Sequence, residues 1–390
     1  MSVKLRRASE GQKLLDQSFN KTKSLTVGNV IRRILLCLFT LLLCLVITLF
    51  TALHVIVNGG CEPLRDRLVL SAMQASATKW LPGLFMPRET VERIVAESYV
   101  VNTDVMSLEE YQATFSPANS VDEKDKWENA VDGMLLETVS GDTFTGYVLL
   151  VKDPSRIFIG TSSDFKNDLV GMNIFDMAKK ENAVAIINAG EFSDPGGQGT
   201  GNNPMGITYS KGNCVWDDDL RRTFIGFDKD NKLIVTEPMT KAQAEKLSIR
   251  DGVSFQNGNT LITNENGSVT IHYADNNTGT AQRTAIGQCG DGTVILLVTD
   301  GRSASSLGAT RNDVIDVMVK YNAVVAGMLD GGSSSLMYYE DYFIKYGYDQ
   351  STLDQYQKRG LVNRYKAFTN PRRMPTYICV DDNESSEEVR

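Results

Sequence analysis

Two Asp-Gly pairs close two consecutive apolar segments: Asp300-Gly301 follows TVILLVT, and Asp330-Gly331 follows AVVAGML. Paired carboxylates are the working groups of general acid–base and nucleophilic chemistry, above all at glycosidic bonds. The stretch between them reads as one helix. Thr310 stands as its N-cap with Asp313 three residues on, and Val314, Ile315, Val317, Met318 and Tyr321 fall at helical spacing. Two strands joined by a crossover helix are expected to run parallel, which brings both Asp to one rim of the sheet, where open α/β sheets bind ligands. As neighbours, their backbones lie roughly 5 Å apart. Such a pair also suits calcium or magnesium, so a divalent cation between Asp300 and Asp330 is an alternative to direct catalysis.

Other polar residues cluster around turn signals. In LDGGSSSLMYYED, Gly331 and Gly332 permit tight turning, and the amides through Ser333 are expected to form an anion-binding concavity. A plain Gly-rich hairpin is the simpler account of either Asp-Gly pair alone. In INAGEFSDPGGQGTGNNPMGI, Asn188 and Glu191 stand near a strand end and open a Gly-rich loop with no Walker lysine. Arg283, Arg372 and Arg373 precede apolar strands, and guanidinium suits phosphate or carboxylate. A surface ion pair is the ordinary role for any one of them.

What is missing narrows the chemistry. The chain has two His: His54 in an apolar run and His272 in VTIHY, which reads as an ordinary strand residue. There is no HExxH, no GxSxG and no CxxC. Cys61, Cys214, Cys289 and Cys379 are widely spaced, so one disulfide (Cys289 with Cys379, if their strands adjoin) competes with isolated buried thiols. The sequons at Asn266 and Asn276 are of a kind frequent by chance.

The elements that must hold these residues follow from composition and pattern. The chain is 390 residues long, 42% hydrophobic and 23% charged, with net charge −8. Residues 1–33 carry a surplus of six positive charges, leaving −14 on the remainder, which argues against nucleic acid as a partner. Ile34 to Val57 is an uncharged apolar run, about 36 Å long as a helix and too long for a cleaved signal sequence. With basic residues before it, a single-pass helix with a cytoplasmic N-terminus and an extracellular C-terminal domain is expected.

The domain reading is a cytoplasmic basic segment (1–33), a transmembrane helix (34–57), a helical stalk and linker (58–134), a folded domain (135–381) and an acidic tail (382–390). Within the domain, short strands alternate with turns and a few helices. The fold class is α+β or mixed α/β, a mixed-sheet domain with flanking helices.

Across residues 135–381 the order of NAGEF, PMGI, QRTAIG, DGR, GAT before a helix, LDGGSSSLM and RRMP before the last strand resembles the phosphodiester glycosidase family. The stretch LVLSAMQASATKWLPGLF resembles its bacterial membrane-anchored, exopolysaccharide-related branch. The resemblance implies hydrolysis of a sugar-1-phosphodiester bond, here in a cell-envelope glycan or polysaccharide. It carries over Asn188, Arg283, Asp300, Gly301, Thr310, Asp330, Gly331, Gly332, Ser333 and Arg372. Asp300, Asp330 and Glu191 are the expected catalytic carboxyls, and Asn188, Arg283, Thr310, Gly331, Gly332, Ser333 and Arg372 are expected to bind substrate or phosphate. Glu191 departs from the Gly or bulky residue of many members. No cofactor is required. The competing reading is a non-catalytic envelope protein that binds or organises anionic exopolysaccharide during assembly.

Overall fold

Helix α1 (Val27–Asn58) is apolar from Ile34 to Val57, after Arg32 and Arg33, and its described side chains are largely exposed. At about 1.5 Å per residue it is long enough to cross a bilayer. The computed structural model describes residues 27–73, 78–98, 101–115, 127–165, 170–194, 200–274, 279–303, 306–365 and 370–382. Most of the basic N-terminal segment, nearly all of the 121–128 charge cluster, Asn276, part of the Gly-rich loop after Asp194 and the tail from residue 383 lie outside them. The chain divides into two units, Met1–Glu62 and Pro63–Arg390.

In chain order the second unit is built from α2 (Glu62–Met73), α3 (Arg88–Glu97), β1 (Val101–Ser107), α4 (Leu108–Phe115), β2 (Met134–Ser140), β3 (Thr145–Val151), β4 (Ile157–Thr161), α5 (Ile174–Glu181) and β5 (Ala183–Asn188). There follow β6 (Thr208–Ser210), β7 (Asn213–Trp216), β8 (Thr223–Asp228), β9 (Leu233–Thr236), α6 (Lys241–Lys246), β10 (Ile249–Phe255), β11 (Thr260–Glu265), β12 (Ser268–Ala274) and β13 (Thr284–Cys289). Last come β14 (Val294–Thr299), α7 (Arg311–Lys320), β15 (Ala323–Leu329), β16 (Met337–Tyr339), α8 (Tyr342–Lys345) and β17 (Thr376–Asp381).

The strands form three sheets, in the orders β1-β12-β11-β15-β13-β14-β3-β2, β7-β6-β10-β8-β9 and β16-β5-β17-β4. Every ladder among the described residues is antiparallel. The large sheet is buried on both faces. Val294, Leu296 and Val298 of β14 join the core shared with β5, β8, β10 and β17, while Ile295 and Leu297 pack with Val314, Ile315 and Met318 of α7. That is the two-residue side-chain alternation of a strand with apolar neighbours on both sides.

Two expectations change here. Residues 99–135, read as an irregular linker, contribute β1, which pairs with β12 from Val101↔Ala274 to Ser107↔Ser268. They also contribute Tyr111, fully buried, whose hydroxyl donates to Ala323 O at 2.8 Å. An edge strand leaves much of itself in solvent, and its polar composition disguised it. The other change concerns Asp300 and Asp330. β14 and β15 do run parallel to one another and end at the same rim, but β13 lies between them, antiparallel to both. Thr284 faces Val298 on one side and Leu329 on the other. Two strand spacings, about 9.5 Å, therefore separate the Asp backbones. The cause is the turn Gly290-Asp291-Gly292, which folds β14 back onto β13 as a hairpin with Gly292 at φ +94°. Cys289 and Cys379 belong to different sheets and both are free thiols.

Candidate active site

Asp330 begins where β15 stops, and two neighbours hold its backbone. Its N–H donates to Ala189 O at 3.1 Å, and its carbonyl accepts from Asn188 Nδ2 at 2.6 Å. Asn188 is fully buried, and its Oδ1 accepts from Thr284 Oγ1 at 2.7 Å and from Leu336 N at 3.1 Å. Its amide is consumed inside the protein, so Asn188 positions Asp330 instead of meeting substrate. A Cβ on Gly331 would stand 2.9 Å from Gln282 O, and Gly332 takes φ +64°. Both glycines are there to bring the Asp330 turn hard against the start of β13.

Asp330 lines a cavity of about 320 Å³, within the range of small-molecule sites. Burial pushes its carboxyl up to about 6. The Ser334 hydroxyl, Arg372 and the Gly331 amide pull it down, and the charge of Glu191 pushes it further up. Ser334, fully buried, also accepts from Arg372 Nη1 at 3.1 Å, and Arg372 pairs with Asp194. A chain of polar contacts thus runs from Asp194 through Arg372 and Ser334 to Asp330. Glu191 pairs with Arg222 at 3.0 Å, and its carboxyl is raised by burial.

Cations outnumber carboxylates around the cavity. Arg283, Arg311 and Lys79 line it with Asp330. Arg283 donates from Nε to Ala309 O at 3.1 Å and from Nη2 to Gly279 O at 2.8 Å, so much of its guanidinium is engaged by backbone. Arg311 is buried and bonded to Gly258 O, Thr260 O and His272 O.

Of the residues expected from sequence, the cavity joins Asp330, Gly331, Gly332 and Arg283. Arg372 and Glu191 act on Asp330 from its flanks. Asp300 stands apart: its Oδ1 accepts from Arg364 N at 3.0 Å, its Oδ2 from Tyr147 Oη at 3.4 Å, and the cavity does not reach it. Because the two carboxyls face different partners, they do not fit a shared cation. No cluster of three or more His, Cys, Asp or Glu suited to a metal occurs among the described residues. Thr310 is used as the α7 cap, accepting from Asp313 N at 3.2 Å while its hydroxyl donates to Asp313 Oδ2 at 2.8 Å.

The expected amide concavity is largely closed. Gly332 N bonds Gln282 O, Ser334 N bonds Gly331 O and Ser335 N bonds Gly332 O. Ser333 keeps an exposed position at the turn. Sequence reasoning passed over Ser334, Asp194, Gln256, Asn259 and Lys79. The Ser333–Ser335 triplet contained the signal for Ser334 without singling it out, and Lys79 lay in a segment read as stalk.

The phosphodiester glycosidase family model matches residues 181–381, just over half of the chain, and the chain belongs to that family. The SPbeta prophage-derived uncharacterized protein YomE of Bacillus subtilis (strain 168) is 27% identical over 192 residues, 47% of this chain and 27% of that protein. The chain thus spans about a quarter of the length of this curated relative. Among solved structures, the zebrafish N-acetylglucosamine-1-phosphodiester alpha-N-acetylglucosaminidase catalytic domain, auto-inhibited by pro-peptide, matches with TM-score 0.48 and 16% identity over 74% of this chain and 91% of that one. A hypothetical protein from Synechocystis matches with TM-score 0.41 and 13% identity over 63% of this chain and 61% of that one.

Proposed function

We propose that the chain is a membrane-anchored hydrolase that cleaves a glycosyl-1-phosphodiester bond in a cell-envelope glycan or polysaccharide. The observation that carries this reading is Asp330: a carboxyl raised to about 6, held by Ser334 and Arg372, at a cavity whose other charged lining residues, Lys79, Arg283 and Arg311, are all cations. Breaking the bond between C1 and oxygen releases a phosphomonoester. That leaving group is already a weak base, so it needs less proton donation than an alkoxide does. One ionised carboxylate then suffices, either attacking C1 or taking the proton from water. The anomeric form of the released sugar, read by NMR, separates the two. Arg283 keeps the loops around Gly279 and Ala309 in place, and the surrounding cations offset the negative charge that develops on the phosphate.

The apolar helix and the basic surplus before it support a cytoplasmic N-terminus and an extracellular domain. Protease added to intact cells then degrades the chain beyond about residue 60, and full protection excludes this topology. The activity test uses the full chain in detergent with a panel of hexose-1-phosphodiesters. Release of free sugar and phosphomonoester is the expected result. Tight binding of anionic polysaccharide without turnover would favour the non-catalytic alternative.

A further inference from the structure

The cavity at Asp330 has two characters, and its second wall comes from outside the family-matching region. Leu70 of α2 and Val95 of α3 line it together with Met73, and Phe255 of β10 and Met328 of β15 continue the apolar surface. Leu70, Phe255 and Met328 are buried, while Met73 and Val95 keep part of their surface open. The segment read as a stalk is built into this wall. Thr280 N donates to Ser71 Oγ at 3.1 Å, and a Cβ on Gly279 (φ +70°) would stand 2.6 Å from Ser71 N. Gly279 O in turn accepts from Arg283, so α2 is fastened to the loop that holds the site's own arginine.

We infer that the phosphodiester accepted here carries an apolar, lipid-like aglycone; the inference rests on the hydrolase reading above. A second sugar placed against Met73, Val95, Phe255 and Met328 would leave hydroxyls desolvated without partners, which is costly. A hydrocarbon chain gains from the same surface, in proportion to the area it hides from water. Lys79 belongs to the same wall and is exposed, and its charge also acts on the Glu191 carboxyl. It offers a cation to a phosphate that joins the sugar to such a chain. In sequence, only Gly59, Gly60 and Cys61 separate α2 from the apolar helix α1.

The test compares two esters of the same hexose-1-phosphate, one prenyl and one glyceryl, with the full chain in detergent. The prenyl ester is expected to show kcat/KM at least about tenfold higher, a factor that roughly two buried methylenes already supply. Met73→Glu should bring the ratio of the two toward one, and Met73→Leu should preserve it. A ratio near or below one for the natural chain overturns the lipid aglycone and leaves the hydrolase standing. A Met73→Leu ratio that falls as far as that of Met73→Glu, or variants that speed both esters alike because the wall only obstructs the cavity, overturns it as well. Hydrolysis of neither ester across the panel of hexoses removes the hydrolase reading, and the inference falls with it.

Discussion

At the ends of β14 and β15 the chain does the same thing twice. An apolar strand stops at Asp-Gly, and each glycine lies against Gln282: a Cβ on Gly301 would stand 2.8 Å from Gln282 N, and one on Gly331 2.9 Å from Gln282 O. Burial raises both carboxyls to about 6. What differs is where the carboxyls look. Asp300 is 6% exposed and spends its oxygens on the Arg364 amide and the Tyr147 hydroxyl. Asp330 lines the cavity and keeps an arginine, a buried serine and a second carboxylate around it. A perturbed carboxyl marks a functional candidate only when something can reach it. By that measure the copy at β15 is the candidate for chemistry, and the copy at β14 is engaged within the fold.

The largest effect that can break this comparison is on turnover. Asp330→Asn is expected to lower kcat by about 10²–10⁴-fold, the range of a lost acid–base group, without lowering the melting temperature. Asp300→Asn should leave kcat within about tenfold of the natural chain. Steady-state kinetics beside thermal melts decides it. If the two exchange roles, Asp300 is the reacting carboxyl and the cavity is not where the reaction occurs.

Stability against pH tests the Asp300 end next. The carboxyl of Asp300 titrates near 3.9 in the unfolded chain and at about 6 in the fold. Between those values the folded state holds the extra proton, so the contribution of Asp300 to stability is present below about pH 4 and lost as pH rises through 6. The loss is about 3 kcal/mol. Asn keeps an oxygen for the Arg364 amide and carries no charge. The stability of Asp300→Asn relative to the natural chain should therefore climb from pH 4 to pH 7. A flat difference across that range would mean that Asp300 ionises in the fold at no cost.

The glycines give a smaller and more local test. Alanine at Gly301 meets Gln282 N, Gly308 Cα and Ala281 C within 3.1 Å, all of them backbone, whereas at Gly331 the one atom inside 3.0 Å is Gln282 O. Both substitutions should destabilise by about 1–3 kcal/mol in urea titrations, Gly301→Ala the more. Gly331→Ala alone should also depress kcat, because it moves Asp330. Equal kinetic losses from both would make the two ends a single mechanical unit.

The asymmetry between the two ends was only partly legible in the sequence. Short apolar runs between turn signals placed β3, β5, β14, β15 and β17, and the Thr310 box placed α7, because local pattern and tertiary burial agree there. The order of strands was not legible from the crossover alone. A hairpin at Gly290-Asp291-Gly292 carries the clue that β13 intrudes, but whether it does is decided by pairing partners distant in sequence. The cavity was legible on its Asp330 side, where glycines and serines mark a tight turn. Its Leu70, Lys79 and Val95 side was not, since a short amphipathic helix has the same pattern whether it stands as a spacer or closes a pocket. Asn188 and Thr310 were found by motif. Their use as a backbone clamp and a helix cap became apparent only with their hydrogen-bond partners in place.

The finest adjustment concerns Glu191, the carboxylate whose charge helps to raise Asp330. With Asp330 acting as its carboxylate, kcat/KM should rise on the acid side through about pH 6. Glu191→Gln removes a negative neighbour, so the Asp330 proton leaves more readily and the acid limb should move to lower pH, by less than about one unit. The maximal rate should fall by less than about tenfold, because Glu191 is already occupied by Arg222 and by Gln256, whose Nε2 donates to it at 3.4 Å. The measurement is the pH profile of kcat/KM for both proteins at fixed ionic strength. An unmoved limb would mean that Glu191 and Asp330 do not sense one another. A collapse of kcat as deep as that of Asp330→Asn would mean something different. The second carboxyl of the site would then be Glu191, a partner for Asp330 that lies in the loop after β5 and not at the end of β14.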